Sequence, residues 1–407
     1  MTELEHLDYA RSQGAASRVT GLAAVFDRLL PPLRFGRLRI VLPSGGAIVR
    51  IGLEPGPEAT LIFHRRRGLR RVLTGGDVGL AEAFIDADWT TPDLVAVLRL
   101  ASRNAEAWKQ NLRGAALIRW INRLRHLLRS NSRRGSRRNI EAHYDLGNDF
   151  YRLWLDPGMQ YSSALWDDDT PDLAAAQAKK LARIGELLAL NGGESVLEIG
   201  CGWGGLAASL ASEKGAAVTA ITLSPSQLAY ARESAAETPL NAAIDFRLQD
   251  YRDVAGGFDR IVSIEMLEAV GEAWWPAYFG TLAARLKPGG RAIIQAIAIA
   301  DDVFEDYRRN PDFIQKYIFP GGFLPSKSAL LAQIEAAGLR LTHNENFGGS
   351  YARTLLEWRK RFRARWSDIA AQGFDDRFRR LWDYYLCYCE AGFAEGMVDV
   401  GLYTLEP

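Results

Sequence analysis

The stretch VLEIGCGWGGLAASLA, residues 196–211, restricts the architecture more than any other. An apolar run gives way to a turn holding Gly200, Gly202, Gly204 and Gly205, and then to an Ala/Leu-rich helical segment. Glycines there permit a tight turn and let a ligand lie against backbone at a helix N-terminus. From about residue 139 onward, SVLEIG, AVTAITL, IDFRLQD, FDRIVSI and RAIIQAIAI read as strands separated by helical stretches. VDVGLYTL reads as a late strand after two amphipathic helices near 353–371 and 375–395. That alternation predicts a mostly parallel sheet with helices on both faces.

Gly200, Gly202 and Gly205 satisfy the dinucleotide spacing G-x-G-x-x-G, but a hydride-transfer enzyme would carry an acid at the end of the second strand to hold a ribose. Here that strand ends AITLSPSQ, with Thr222, Leu223, Ser224 and Gln227 and no acid. The acid sits earlier, as Glu198, and a later one, Asp250, stands beside Tyr251 in LQDYRD. This arrangement resembles the S-adenosylmethionine-dependent methyltransferases. The resemblance implies that the glycine turn, with Gly200 and Gly202, faces the amino-acid end of the cofactor and that Glu198 belongs to the same site. It places Thr222, Leu223 and Gln227 at the ribose and Asp250 and Tyr251 at the adenine, with Tyr161 and Ser162 also in the cofactor site.

Ahead of this region, GRLRIVLPSGGAIVRIG and ATLIFH read as short strands, and GDVGLAEAFIDADW and PDLVAVLRLAS as helices. RVTGLAAVFDRLL, residues 18–30, has helical spacing and ends at Pro31 and Pro32. The expected organisation is a smaller α+β domain over 1–105, a basic helix and linker over 106–138, and a catalytic domain over 139–407. The net charge of +1 conceals the middle segment, where Arg119, Arg123, Arg125, Arg129, Arg133, Arg134, Arg137 and Arg138 crowd together without an acid. Leu117, Trp120, Ile121, Leu124, Leu127 and Leu128 recur among them at helical spacing. Such a helix suits an anionic membrane surface, or equally an interdomain contact with solvated arginines. No nucleic-acid reader motif accompanies it, so nucleic acid is not an expected partner.

Three cysteines at these spacings suggest neither a disulfide framework nor a zinc site, and no metal is expected. His143 reads as an orienting or structural group rather than a ligand. The N-terminal residues lack the pattern of a signal peptide, and no run approaches a membrane span. The expectation is a cytoplasmic protein, peripheral to the inner face of the membrane, with homodimer formation left open.

Taken in order, IEAHYDLGNDFYRLWLDPGMQYSSALW, VLEIGCGWGG, LQDYRD, FDRIVSIEMLEAVG, KYIFPGGFLPS and NFGGSYARTLLEW resemble the cyclopropane-fatty-acyl-phospholipid synthase family over roughly 139–405. The resemblance implies a Rossmann-like class I methyltransferase fold with a seven-stranded sheet. It implies methyl transfer from S-adenosylmethionine to the cis double bond of an unsaturated phospholipid acyl chain, giving a cyclopropane. Methylene- or methyl-branched products, including furan precursors, follow from the same transfer. A methyltransferase of soluble small molecules is the other reading.

The family draws its base, a bound bicarbonate, into a cage. Carried over, that cage falls on Ser163, Ile264, Glu268, Gln295 and Tyr351. Ser163 stands where the family has cysteine and Gln295 where it has histidine, and glutamine cannot titrate near neutrality. The expectation assigns Glu268 to orient the anion. Glu265, where many members have glycine, is the less favoured participant, because two carboxylates in one site repel. The long connection DDVFEDYRRNPDFIQKYIFPGGFLPS is expected to wall the lipid pocket.

Overall fold

The computed structural model describes residues 24, 27–28, 30–109, 146–236, 239–310 and 312–407. Most of the helix expected at 18–30, the basic segment from 110 to 138 and His143 lie outside the described residues. The chain divides into two compact units, residues 1–119 and 120–407.

In the first unit, β1 (Phe35–Val41) and β2 (Ala47–Ile51) form an antiparallel hairpin. β3 (Glu54–Phe63) runs parallel to β1, and the short β4 (Trp89–Thr90) pairs antiparallel with β3. Alternate residues Leu38, Ile40, Ala59, Leu61 and Phe63 are buried, as one covered face of a sheet requires. Helix α1 (Arg66–Ile85) starts before the expected segment and breaks at Gly76. Helix α2 (Leu94–Lys109) runs past the expected boundary at 105. It is tied to β1 by Asn104, whose buried amide accepts from the Arg34 and Phe35 N–H groups and donates to the Phe35 and Leu100 carbonyls.

The second unit opens with α3 (Asn148–Arg152) and α4 (Leu173–Leu188). There follow β5 (Ser195–Ile199), α5 (Gly205–Lys214), β6 (Ala217–Thr222), α6 (Pro225–Ala236), β7 (Ile244–Leu248) and β8 (Phe258–Ile264). Next come α7 (Leu267–Val270), α8 (Trp275–Arg285), β9 (Leu286–Ile299), α9 (Asp301–Arg309), α10 (Phe313–Tyr317) and α11 (Lys327–Ala336). The chain closes with β10 (Arg340–Asn346), α12 (Gly348–Ala364), α13 (Trp366–Ala371), α14 (Asp376–Ala394) and β11 (Val398–Glu406).

The seven strands lie in the order β10-β11-β9-β8-β5-β6-β7. Pairings from β9 to β7 are parallel, whereas β11 runs antiparallel to both β9 and β10. Successive residues of each strand serve opposite faces. Leu197, Ile261 and Ile294 join one core with Trp275, Phe279, Leu282, Leu330 and Ile334. Val196, Val262 and Ile293 join the other with Ile184, Leu188, Leu206, Leu210 and Leu228. Near-continuous apolar strands are what a sheet covered on both faces needs. The chain order reverses across β5, which has β6 on one side and β8 on the other, and such a switch point opens a crevice at the strand C-termini.

Two features differ in detail from the sequence expectation. β10 was not among the expected strands. It is an edge strand with a mostly exposed, polar sequence, so it carries little apolar alternation. The helix expected at 353–371 begins at Gly348 and breaks at Arg365 into α12 and α13.

Candidate active site

The glycine turn sits at that switch point. The Gly200 and Cys201 N–H groups both donate to the Ile221 carbonyl at 2.9 Å, which latches the turn to β6. Gly202 has φ 53°, and a Cβ built there would meet nothing within 4 Å, so the turn has open space above it. Gly205 is the opposite case. Its Cβ would lie 2.7 Å from the Gly158 carbonyl and 2.1 Å from the Gln160 side-chain nitrogen. The N-terminus of α5 is therefore pressed against the 156–160 loop. Asp156 holds that loop by accepting from the Gly158 and Gln160 N–H groups at 2.8 and 2.9 Å. Tyr161, Ser162 and Ser163 follow directly.

Glu198, at 3% exposure, lies under the turn. One oxygen accepts from the Ala207 N–H, and the other is enclosed with no partner. Burial pushes its pKa up to about 8. Thr222 and Gln227 share a 3.1 Å side-chain hydrogen bond, and Thr222 accepts from the Ser224 N–H, which shapes the loop that carries Leu223. Asp250 binds Arg252 through both carboxylate oxygens at 2.8 and 2.6 Å, and Arg252 lies over the rings of Tyr251 and Trp274. An open glycine turn at a helix N-terminus, above an orphaned acid oxygen, suits a ligand with an ammonium and a carboxylate at one end. The open turn at Gly202 and the unpartnered oxygen of Glu198 thus fit the amino-acid end of S-adenosylmethionine.

A second cluster lies at the ends of β8 and β9. Their register pairs Ile264 with Gln295, and the Glu265 N–H donates to the Gln295 carbonyl at 2.8 Å. Glu265 has φ 49°, a left-handed backbone uncommon for a residue with a side chain. Its carboxylate is the hub. One oxygen accepts from the Ser163 N–H at 2.8 Å and from Gln295 Nε2 at 2.7 Å, and the other accepts from Tyr351 Oη at 2.7 Å. Tyr351 comes from the first turns of α12, and its ring packs against Phe393 at 4.4 Å. Gln295 is 1% exposed and Ser163 fully buried.

Burial raises the Glu265 pKa, opposed by hydrogen bonds from Tyr351 and Ser163, the charge of Lys180, and the Gln295 bond. Lys180, also fully buried, donates to Ser162 Oγ at 2.7 Å. Burial lowers its pKa to about 8, while Glu265, Asp156 and Glu198 hold it up. Glu268 turns elsewhere. One oxygen accepts from the Ile297 N–H at 2.6 Å, and the other is enclosed without a partner. Burial, and then the charge of Glu265, push its pKa up to about 8. With the pKa of Glu268 pushed up to about 8, a proton on that residue relieves the repulsion expected between two carboxylates.

Of the five residues expected to form a cage, Ser163, Gln295 and Tyr351 converge on one point, with Ile264 next to it in the chain. Glu268 adjoins the cluster but holds the β9 backbone and accepts the Phe323 N–H on its own carbonyl. Sequence reasoning ranked Glu265 below Glu268 and passed over Lys180. The second had a visible signal, since Lys180 shares the helical stripe of Leu173, Ala176, Ile184 and Leu188, all buried.

The raised carboxyls set a pH dependence of stability. Glu198 and Glu268 hold protons in the fold up to about 8. An unfolded carboxyl releases its proton near 4.3, so this stabilisation is present in mild acid and lost as pH rises towards 8. The melting temperature is expected to fall between pH 5 and 8, with a shallower slope in Glu268→Gln, whose amide cannot ionise. Identical flat profiles in both proteins would remove the assignment.

Residues 131–402 match the family model described as mycolic acid cyclopropane synthetase. The chain is 37% identical over 381 residues to a tuberculostearic acid methyltransferase of Mycobacterium tuberculosis, covering 90% of this chain and 87% of that one. It is 38% identical over 332 residues to the cyclopropane-fatty-acyl-phospholipid synthase of Escherichia coli, covering 80% and 81%. Among solved structures, a mycolic acid cyclopropane synthase complexed with SAH and CTAB aligns with a TM-score of 0.63 at 28% identity, over 67% of this chain and 98% of the other.

Proposed function

Since the chain belongs to the mycolic acid cyclopropane synthetase family and is an S-adenosylmethionine-dependent methyltransferase of lipid chains, we propose that it methylates the cis double bond of an unsaturated phospholipid acyl chain to give a cyclopropane. S-Adenosylmethionine, when bound, supplies an electrophilic methyl group on a sulfonium. Glu198, the glycine turn, Thr222, Leu223, Gln227, Asp250 and Tyr251 would hold it, together with Tyr161 and Ser162. An alkene is a weak nucleophile, so the two partners must be held in near-attack geometry. Its methylation leaves a carbocation that water would trap, so the site must be dry and offer a base.

The observation that carries this reading is the buried hub of Ser163, Gln295, Tyr351 and Glu265 at the C-terminal ends of β8 and β9, beside the strand whose end bears the glycine turn. Tyr161 adds an aromatic wall, packed at 5.3 Å against both Tyr151 and Trp358, where ring faces can stabilise positive charge. A branched or methylene product is the second reading. It is favoured by Gln295 in place of histidine and by the similarity to a tuberculostearic acid methyltransferase along 90% of the chain.

No helix among the described residues is long and apolar enough to cross a membrane. The arginine-rich segment of 106–138 is proposed to bring the enzyme onto an anionic bilayer. With vesicles of unsaturated phosphatidylglycerol and donor labelled in its methyl group, mass spectrometry is expected to show acyl chains that have gained one labelled carbon at the former double bond. The rate should fall as salt screens the surface. Mild hydrogenation then separates the products, because a methylene takes up hydrogen and a ring survives. Label appearing only on soluble acceptors would overturn the proposal.

A further inference from the structure

We propose that Glu265 is the catalytic base of this enzyme, a carboxylate built into the chain at the point where its relatives are expected to hold a free anion. The inference deepens the alkene-methylation reading and rests on it. Three observations carry it. The first is the donor set. The Ser163 N–H, Gln295 Nε2 and Tyr351 Oη, at 2.7–2.8 Å, all converge on one carboxylate that belongs to the protein itself. These are three of the residues that the family resemblance assigns to the anion cage. The second is the backbone. A side chain at φ 49° is held against a steric preference, and such strain persists only where the surroundings over-determine it. Glycine would adopt this conformation freely, so the glutamate is retained at a cost that its side chain must offset.

The third observation is the electrostatic setting. Glu265 faces the ammonium of Lys180, the neutralised carboxyl of Glu268, the hydroxyl of Tyr351 and the thiol of Cys389. Lys180 is the cation among these neighbours, and the enclosed Glu268 carries its own proton. Glu265 is therefore the group of this cluster best placed to be anionic when the reaction needs an acceptor.

The step balances without any mobile anion. The alkene π pair forms the new C–CH₃ bond as the S–CH₃ bond breaks, and the sulfur leaves as a neutral thioether. A C–H bond of the new methyl group then breaks, and its electron pair closes the ring. The proton passes to Glu265, whose negative charge and the positive charge of the cation cancel. A carboxylate offers about four lone-pair directions. The three bonds described leave one on the oxygen that accepts from Tyr351.

The test uses the full-length enzyme, unsaturated phosphatidylglycerol vesicles and buffer stripped of carbon dioxide. Wild type is expected to turn over within about twofold of its rate in added bicarbonate. Glu265→Gln should lose about 10²–10⁴-fold in rate, the usual value of a general base, with no rescue by bicarbonate, because the amide still fills the position. Glu265→Gly suits the left-handed backbone and so serves as the second variant, its folding checked by thermal unfolding. It should be equally slow in stripped buffer and recover at least about tenfold when bicarbonate or formate enters the vacated cage. S-Adenosylhomocysteine affinity should be unchanged throughout. A wild type that methylates lipid but stops without bicarbonate overturns this proposal alone, as does either variant working at the wild-type rate in stripped buffer. A wild type that methylates no lipid removes the parent reading and this one with it.

Discussion

Lys180→Met is expected to destabilise the second unit by about 1–3 kcal/mol, the usual cost of leaving buried polar groups without the partner that satisfied them. The Lys180 ammonium is fully enclosed, donates to Ser162 Oγ at 2.7 Å and faces the carboxyls of Glu265 and Asp156. Methionine fills similar volume, so the loss is electrostatic rather than a cavity. The carboxyls would answer by binding protons more tightly. Methyl transfer at neutral pH should then fall, and the acid limb of the rate profile should move to higher pH, since Glu265 must be ionised to accept a proton. Denaturant unfolding and the pH–rate curve read the two effects separately. A variant as stable as its parent would mean that the ammonium compensates nothing.

Gly205→Ala is expected to weaken S-adenosylhomocysteine binding and lipid methylation together. The added Cβ would meet the Gly158 carbonyl at 2.7 Å. The Gln160 side chain, at 2.1 Å, can swing away, but the backbone carbonyl cannot, because Asp156 pins both Gly158 and Gln160. Overpacking of this kind costs about 1–3 kcal/mol. Part of the strain is relieved by moving the loop outward, which carries Tyr161 and Ser162 away from the proposed cofactor site and the Ser163 N–H away from Glu265. Calorimetric binding and the lipid assay should therefore fall together. Intact affinity alongside full activity would show that the loop has slack that the close contact hides.

Much of this molecule could be read from local pattern. A strand, a glycine turn and a helix at 196–211 place a ligand at a strand end, because no other local geometry uses glycines so densely between an apolar run and a helix. The doubly wound sheet followed from apolar strands separated by helices. Among the cage residues, Ser163, Gln295 and Tyr351 were legible through the order of the family motifs. β10 was not, because an edge strand with a solvated face needs no apolar alternation. Lys180 could have been found from its place on the buried stripe of α4.

Which of two glutamates three residues apart serves the chemistry was not decided by local pattern. In SIEMLEAVG both follow the same strand, and charge repulsion says only that one of them must yield. Sequence by itself determined the strand end, the pair of acids and the kinds of donor available. Tertiary structure decided that Glu265 takes the three side-chain and backbone donors while Glu268 keeps one oxygen enclosed without a partner. The donors to Glu265 come from residues 102, 30 and 86 positions away in the chain, and they meet only once β8, β9, α12 and the loop after α3 are packed. A carboxylate stays ionised where such donors gather around it and neutral where burial leaves one oxygen alone, and that balance exists only in three dimensions.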